Sequence, residues 1–257
     1  MRLAIEHQLS FTPPPGSGQL VMQLLLTPPS GPSQKVVRWS VDASGLGNAS
    51  RFSDAFGNTA HLVNVSRPEG PVTLVARGVV DTTDTNGVLG RLSGEPVPAL
   101  FRRLLPPAVL PPGLLDGLDP AGNRLELLHT LLLRIREDFT AAAPRQMQAD
   151  GAQEQDLGGG PSSAASQAEL FIAAARSLGV PARHVSGYLL GEEDGTLHAW
   201  AEAWDDRLGW VGFDPKLQLC STDAHVRLAV GLDALGAHPL RSVPAAELTQ
   251  SVSVTAE

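Results

Sequence analysis

Cysteine is almost absent from this 257-residue chain: Cys220 is the single one. A disulfide framework within the chain and any multi-cysteine metal site are therefore excluded. Lysine is nearly as scarce, with only Lys35 and Lys216, and the 19 basic against 27 acidic residues leave a net charge of −8. Scattered arginines on an acidic chain do not build the concentrated positive face that phosphate backbones require, so nucleic acid is not expected as a partner. Long apolar runs are also missing. Nothing approaches the roughly 18–20 residues that span a bilayer, and the leucines of 104–118 are broken by proline and glycine. The N-terminus, Met1-Arg2-Leu3-Ala4-Ile5-Glu6-His7, turns polar too early for the apolar stretch of a signal peptide. A cytoplasmic protein with no membrane partner is expected.

What is present is enough apolar material, 42% of residues, to build a core. Residues 1–94 read as an all-β domain, a small antiparallel sandwich. Leu20 to Leu26, Val36 to Val41, His61 to Val65 and Val72 to Val80 are apolar, alternating runs closed by turn residues. Asp54-Ala55-Phe56-Gly57-Asn58 has the chemistry of a tight turn. Residues 95–118 form a connector whose prolines remove backbone donors and forbid a long helix or central strand. From 119 to 257 a second unit is expected. A helix with Asp119 as N-cap and Pro120 in its first turn runs to about Phe139. The loop 141–161 follows, and then a helix to Leu178 with Ser166 and Glu169 as a capping box, or starting a turn earlier. Three strands come next, Arg183 to Leu190, Leu197 to Trp204 and Trp210 to Phe213. Their short polar connectors predict antiparallel hairpins. The fold class is α+β.

In Leu197-His198-Ala199-Trp200-Ala201-Glu202-Ala203-Trp204, period two puts His198, Trp200, Glu202 and Trp204 on one face. Asp214 ends the next strand, where a hairpin brings its carboxylate beside the imidazole. Such a pair either orients a general base or is a structural hydrogen bond. Glu202 can pair with an arginine. Trp200, Trp204 and Trp210 line either a peptide groove or the core. Arg102-Arg103 is read as solvated. His7, His61, His129, His184, His225 and His238 are scattered and show no ligand spacing, so no metal or other cofactor is expected.

At these residues the chain resembles the bacterial transglutaminase-like family, a branch of the papain-like thiol superfamily. The resemblance rests on Leu170-Phe171-Ile172-Ala173-Ala174-Ala175-Arg176-Ser177-Leu178-Gly179-Val180-Pro181-Ala182-Arg183, Val185-Ser186-Gly187-Tyr188-Leu189, His198-Ala199-Trp200-Ala201-Glu202 and Gly209-Trp210-Val211-Gly212-Phe213-Asp214-Pro215. It extends to the N-terminal β unit and its Asp54-to-Asn58 turn. It implies a papain/transglutaminase-like core of helices packed on an antiparallel sheet. It also implies a thiol nucleophile at the start of the core helix, partnered by His198 and Asp214. The family's Gly-Val-Cys-Gln-Asp is replaced here. Counting back from Pro181 puts Ala164 at the nucleophile's position, within Ser162-Ser163-Ala164-Ala165-Ser166, and Glu169 stands where the family often has histidine. Cys220 lies beyond the histidine and aspartate.

The expected function is therefore a non-catalytic peptide- or protein-binding member that has lost its cysteine. The alternatives are a purely structural role, or an active peptidase, amidase or acyl-transferase using Ser163 or another residue with His198 and Asp214. The family's companions imply a partner of the ATP-grasp or α-helical kind.

Overall fold

A computed structural model describes residues 1–43, 49–68, 70–105, 110–142, 163–192, 195–245 and 247–257. The chain is mostly antiparallel sheet with few helices. Strands β1 (Arg2–Phe11), β2 (Gln19–Thr27), β3 (Gln34–Ala43), β4 (Ser50–Ser53), β5 (Thr59–Ser66), β6 (Val72–Thr82) and β7 (Val88–Gly90) are followed by a 3-10 turn at Pro98–Arg102. Helices α1 (Arg124–Ala142) and α2 (Ala164–Ser177) precede β8 (Ala182–Leu189), β9 (His198–Asp205), β10 (Gly209–Asp214), β11 (Leu219–Cys220), β12 (His225–Gly231), β13 (Leu240–Val243) and β14 (Leu248–Ala256). Among the described residues, no helix is long and apolar enough to cross a membrane.

Two four-stranded sheets, ordered β14-β1-β6-β3 and β13-β2-β5-β4, share a core of Leu9, Leu20, Met22, Leu24, Val63, Leu74 and Leu240 among others. The closing strands come from the far end of the chain. β14 pairs with β1 from Leu3↔Ala256 to Phe11↔Leu248, and β13 pairs with β2. Residues 240–256 thus complete the N-terminal sheets, although the sequence reading placed everything from 119 to 257 in the second unit. In the other direction, β7, from the expected N-terminal domain, pairs with β10 of the third sheet. That sheet runs β11-β10-β9-β8-β12.

Both helices lie against the third sheet through one cluster. It joins Leu128, Leu131, Leu132 and Ile135 of α1, Phe171, Ile172, Ala174 and Ala175 of α2, and Ala201, Ala203, Val211 and Phe213 of β9 and β10. The alanines on β9 let α2 approach closely, while Trp200 and Trp204 point to the other face and pack in other clusters. All eight residues of β8 and of β9 are buried, so these strands are covered on both sides.

Helix starts differ from the expected ones. α1 begins at Arg124 rather than beside Asp119. Asp119 instead closes a turn, accepting from the Ala121 and Gly122 amides, and Asn123 Oδ1 takes the Leu125 amide at 3.1 Å. Gly122 in a first helical turn would cost about 1 kcal/mol, and Asn123 is as good a cap as Asp119. α2 is capped by Ser163, whose Oγ accepts from the Ser166 amide at 3.2 Å. The start is therefore one turn before the Ser166–Glu169 box. The Glu169 carboxylate accepts from the Ala234 amide instead.

The connector is anchored by Phe101, which is fully buried with Trp204 and Trp210. Arg176 of α2 donates to the carbonyls of Phe101, Ala182 and Leu232, joining helix, connector and sheet. The Asp54–Asn58 turn has the same role. Asp54 Oδ1 accepts from the Phe56 and Asn58 amides, and the Asn58 side chain exchanges two hydrogen bonds with the backbone of Val230.

Candidate functional site

His198 is the first residue of β9 and Asp214 the last of β10. The antiparallel register Gly209↔Asp205 to Phe213↔Ala201 brings these ends together. His198 Nε2 lies 2.6 Å from Asp214 Oδ2, with both groups buried. The other ring nitrogen, Nδ1, lies 3.1 Å from Glu192 Oε2. Glu192, from the β8–β9 connection, is in turn held by Lys216 Nζ at 3.1 and 3.2 Å. A carboxylate therefore faces each ring nitrogen of His198.

Asp214 carries a second imidazole that the sequence reading did not single out. His225 Nε2 lies 3.0 Å from the same Oδ2, while Oδ1 accepts from the Leu217 amide at 3.1 Å. Burial pushes the Asp214 carboxyl upward, but the hydrogen bonds and charges of His198 and His225 outweigh it and hold the group well below the usual carboxylate range. Trp200 walls the cluster, edge-on to His225 at 5.3 Å between centroids and near-parallel to His198 at 6.2 Å. No spacing in the sequence signals His225. It reaches the site because β12 pairs with β8 at His225↔Leu189.

One ligand atom each from His198, Asp214 and His225 lies within 4.8 Å of the others, a spacing that a metal ion could bridge. The donor set does not fit one. The Thr222 amide donates to His225 Nδ1 at 3.1 Å, so that nitrogen is unprotonated and the proton sits on Nε2, facing Asp214. A neutral imidazole ligating through Nε2 needs the reverse tautomer.

Glu202 belongs to a separate buried network. It pairs with Arg183 at 2.6 Å and Arg227 at 3.1 Å, and both arginines also reach Glu95 at 2.6 Å. The Arg183 guanidinium lies 3.9 Å above the Trp210 ring. Trp200, Trp204 and Trp210 are all buried, and so are core residues rather than the lining of a groove. Arg102 and Arg103 are exposed.

Sequence comparison covers both the N-terminal strands and the stretch from before α1 to the end of β10. A family model described as the transglutaminase-like superfamily matches residues 114–215, and one for the bacterial transglutaminase-like N-terminal region matches residues 3–81. The chain belongs to the transglutaminase-like superfamily. An uncharacterized Mycobacterium leprae protein is 34% identical over 84 residues, which is 30% of this chain and 29% of the relative's length. An uncharacterized Mycobacterium bovis protein is 26% identical over 236 residues, covering 76% of this chain and 71% of the relative. Among solved structures, a candidate cysteine protease from Cytophaga hutchinsonii superposes with a TM-score of 0.62 at 17% identity, over 99% of this chain and 90% of that one. This likeness shows a shared fold.

Against this family background the remaining positions are informative. Ala164 is the first residue of α2 and is buried. Ser163 Oγ bonds to the amide and the hydroxyl of Ser166, the latter at 3.0 Å, and so serves as the helix cap. His198 has Glu192 and Asp214 as its hydrogen-bond partners among the described residues. Cys220 lies on β11, paired in register with Phe213 beside Asp214, and its sulfur lies 3.5 Å from His129 of α1. The loop 141–161 lies almost wholly outside the described residues.

Proposed function

We propose that this protein is a non-catalytic transglutaminase-like protein that binds a peptide or protein segment. The observation that carries the reading is the double engagement of His198, with Glu192 at one ring nitrogen and Asp214 at the other. Covalent catalysis in this family needs the imidazole to take a proton from a nucleophile. With a carboxylate at each ring nitrogen, neither nitrogen is directed at a nucleophile among the described residues. On this reading Ala164 stands in the nucleophile's place and contributes only a methyl group, and Ser163 spends its oxygen on the helix start. The ligand class is proposed by analogy with the candidate cysteine protease that shares the fold, a protease being an enzyme that acts on peptide chains. The ligand's source is a partner chain such as the ATP-grasp or α-helical companions that the family implies. The reading places the protein in the cytoplasm, where a lone thiol stays reduced; recovery from a secreted fraction would contradict that placement.

The test is turnover of an amide and peptide library, with amine incorporation measured in parallel, beside retention of the same peptides by the immobilised protein. Retention without turnover is the expected result. Turnover that disappears in Ser163→Ala would overturn the reading in favour of a serine nucleophile. As a check on Ala164, Ala164→Cys is expected to react with iodoacetamide at its new thiol, since a helix N-terminus favours thiolate.

A further inference from the structure

The one cysteine does not stand alone. Cys220 Sγ lies 3.5 Å from His129 Nε2, and the histidine's other nitrogen, Nδ1, sits 2.8 Å from the Leu125 carbonyl, one turn back on α1. A carbonyl only accepts, so Nδ1 carries the proton and Nε2 presents its lone pair to the thiol. The edge of the His129 ring packs on Phe213, with centroids 5.4 Å apart, which fixes its orientation. The pair opens on a cavity of about 310 Å3. Val88, Leu125 and Val211 give it an apolar side, and Asp84, Asn86 and Thr222 a polar one.

Burial pushes the Cys220 thiol up, which by itself would leave it protonated and inert at neutral pH. The proton therefore leaves only as the sulfur attacks, and His129 Nε2 is the acceptor placed for it. From the fixed tautomer, the hydrogen bond and the cavity, we infer that Cys220 and His129 form a thiol-exchange site that captures a low-molecular-weight thiol as a mixed disulfide.

The step balances with a small disulfide, RS–SR, as co-reactant. The thiol proton passes to His129 Nε2, and the Cys220 sulfur attacks one sulfur of the disulfide. A new Cys220–SR bond forms, the RS–SR bond breaks, and the departing sulfur takes the proton back from His129 as RSH. Cys220 is oxidised and one half of the disulfide is reduced. With no second cysteine in the chain, no internal thiol can resolve the adduct. It persists until an external thiol removes it, a reversible cap rather than a turnover cycle.

Two measurements at pH 7 test the site. Intact mass after incubation with oxidised glutathione is expected to show one adduct, reversed by dithiothreitol. The rate with 4,4′-dithiodipyridine is expected to be at least that of the guanidinium-unfolded chain, and at least tenfold lower in His129→Gln. His129 is exposed on α1, so the variant should keep its melting temperature. A native thiol slower than the unfolded one, no adduct on the wild type, or equal rates in wild type and His129→Gln would each overturn the inference. The comparison of native with unfolded wild type needs no variant to fold.

Discussion

Lowering the pH from 7 to 5 should weaken this fold through two histidines that are not part of the candidate site. His7 on β1 and His184 on β8 are buried, and burial lowers each from about 6.5 to about 4. The unfolded chain therefore takes up a proton at each near pH 6.5, while the folded protein resists until about pH 4. Between those values the unfolded state binds more protons, so the stability present at neutral pH is lost as the pH falls. With these end points each imidazole costs about 2 kcal/mol on going from pH 7 to 5, and the two together about 4 kcal/mol. That is a large part of an ordinary domain's stability. His7 Nδ1 meets the Tyr188 hydroxyl at 3.2 Å, so His7→Gln keeps a polar partner there while removing the titration. Urea unfolding at pH 7, 6 and 5 measures the effect. The wild type should lose about 4 kcal/mol over this range, and His7→Gln about half as much. A wild-type loss below about 1 kcal/mol, or an unchanged slope in His7→Gln, would refute the assignment of neutral buried imidazoles.

Three other perturbations probe the frame around the site. Asp214→Asn removes the charge that holds two imidazoles and should destabilise by about 3 kcal/mol in urea unfolding at pH 7. Because the Asp214 carboxyl is depressed in the folded state, its contribution is present above the unfolded value and lost on acidification, so the variant should be less sensitive to acid below about pH 4. Gly187→Ala would place a methyl 2.2 Å from the Val226 carbonyl and 2.5 Å from the Trp200 ring; a loss of about 3 kcal/mol is expected, read as a lower melting temperature. Phe101→Ala should cost about 3–5 kcal/mol, because that ring is fully buried and packs the connector against Trp210 and Trp204.

Local chemistry explains which parts of the architecture can be read without coordinates. β9 and β10 follow from alternation and from a polar five-residue connector, and the structure pairs them within one residue of the expected bounds. The antiparallel character of the N-terminal strands is likewise carried by period-two patterning. β14 is harder to see. Its residues Leu248–Ala256 alternate only between half-buried and exposed, and serines and threonines supply little hydrophobic contrast. Its partner β1 is some 240 residues away, and no pattern in either segment encodes that pairing. Domain limits drawn along the chain fail here for the same reason: β7 and β14 each close a sheet built mainly by the other end of the sequence.

The candidate site divides along the same line. His198 and Asp214 share a hairpin, so their meeting is a short-range consequence of strand period and connector length. His225 and Glu192 need information of a different kind. His225 enters through the β12–β8 register, set by packing in the core, and that register carries a bulge between Arg227 and Ala229 that no local count would place. Glu192 sits on the β8–β9 connection, where charged residues are ordinary and nothing marks one of them as a ligand of the imidazole. These two residues change the chemistry most. With Asp214 alone, His198 would keep one nitrogen for a nucleophile, and a serine at the head of α2 would be a reasonable candidate for that role. With Glu192 in place and Lys216 behind it, that nitrogen already has an anionic partner. On the reading proposed above, in which Ala164 takes the nucleophile's position, the second carboxylate on the imidazole is a matching change on a different element, one that sequence motifs around the start of α2 do not reveal.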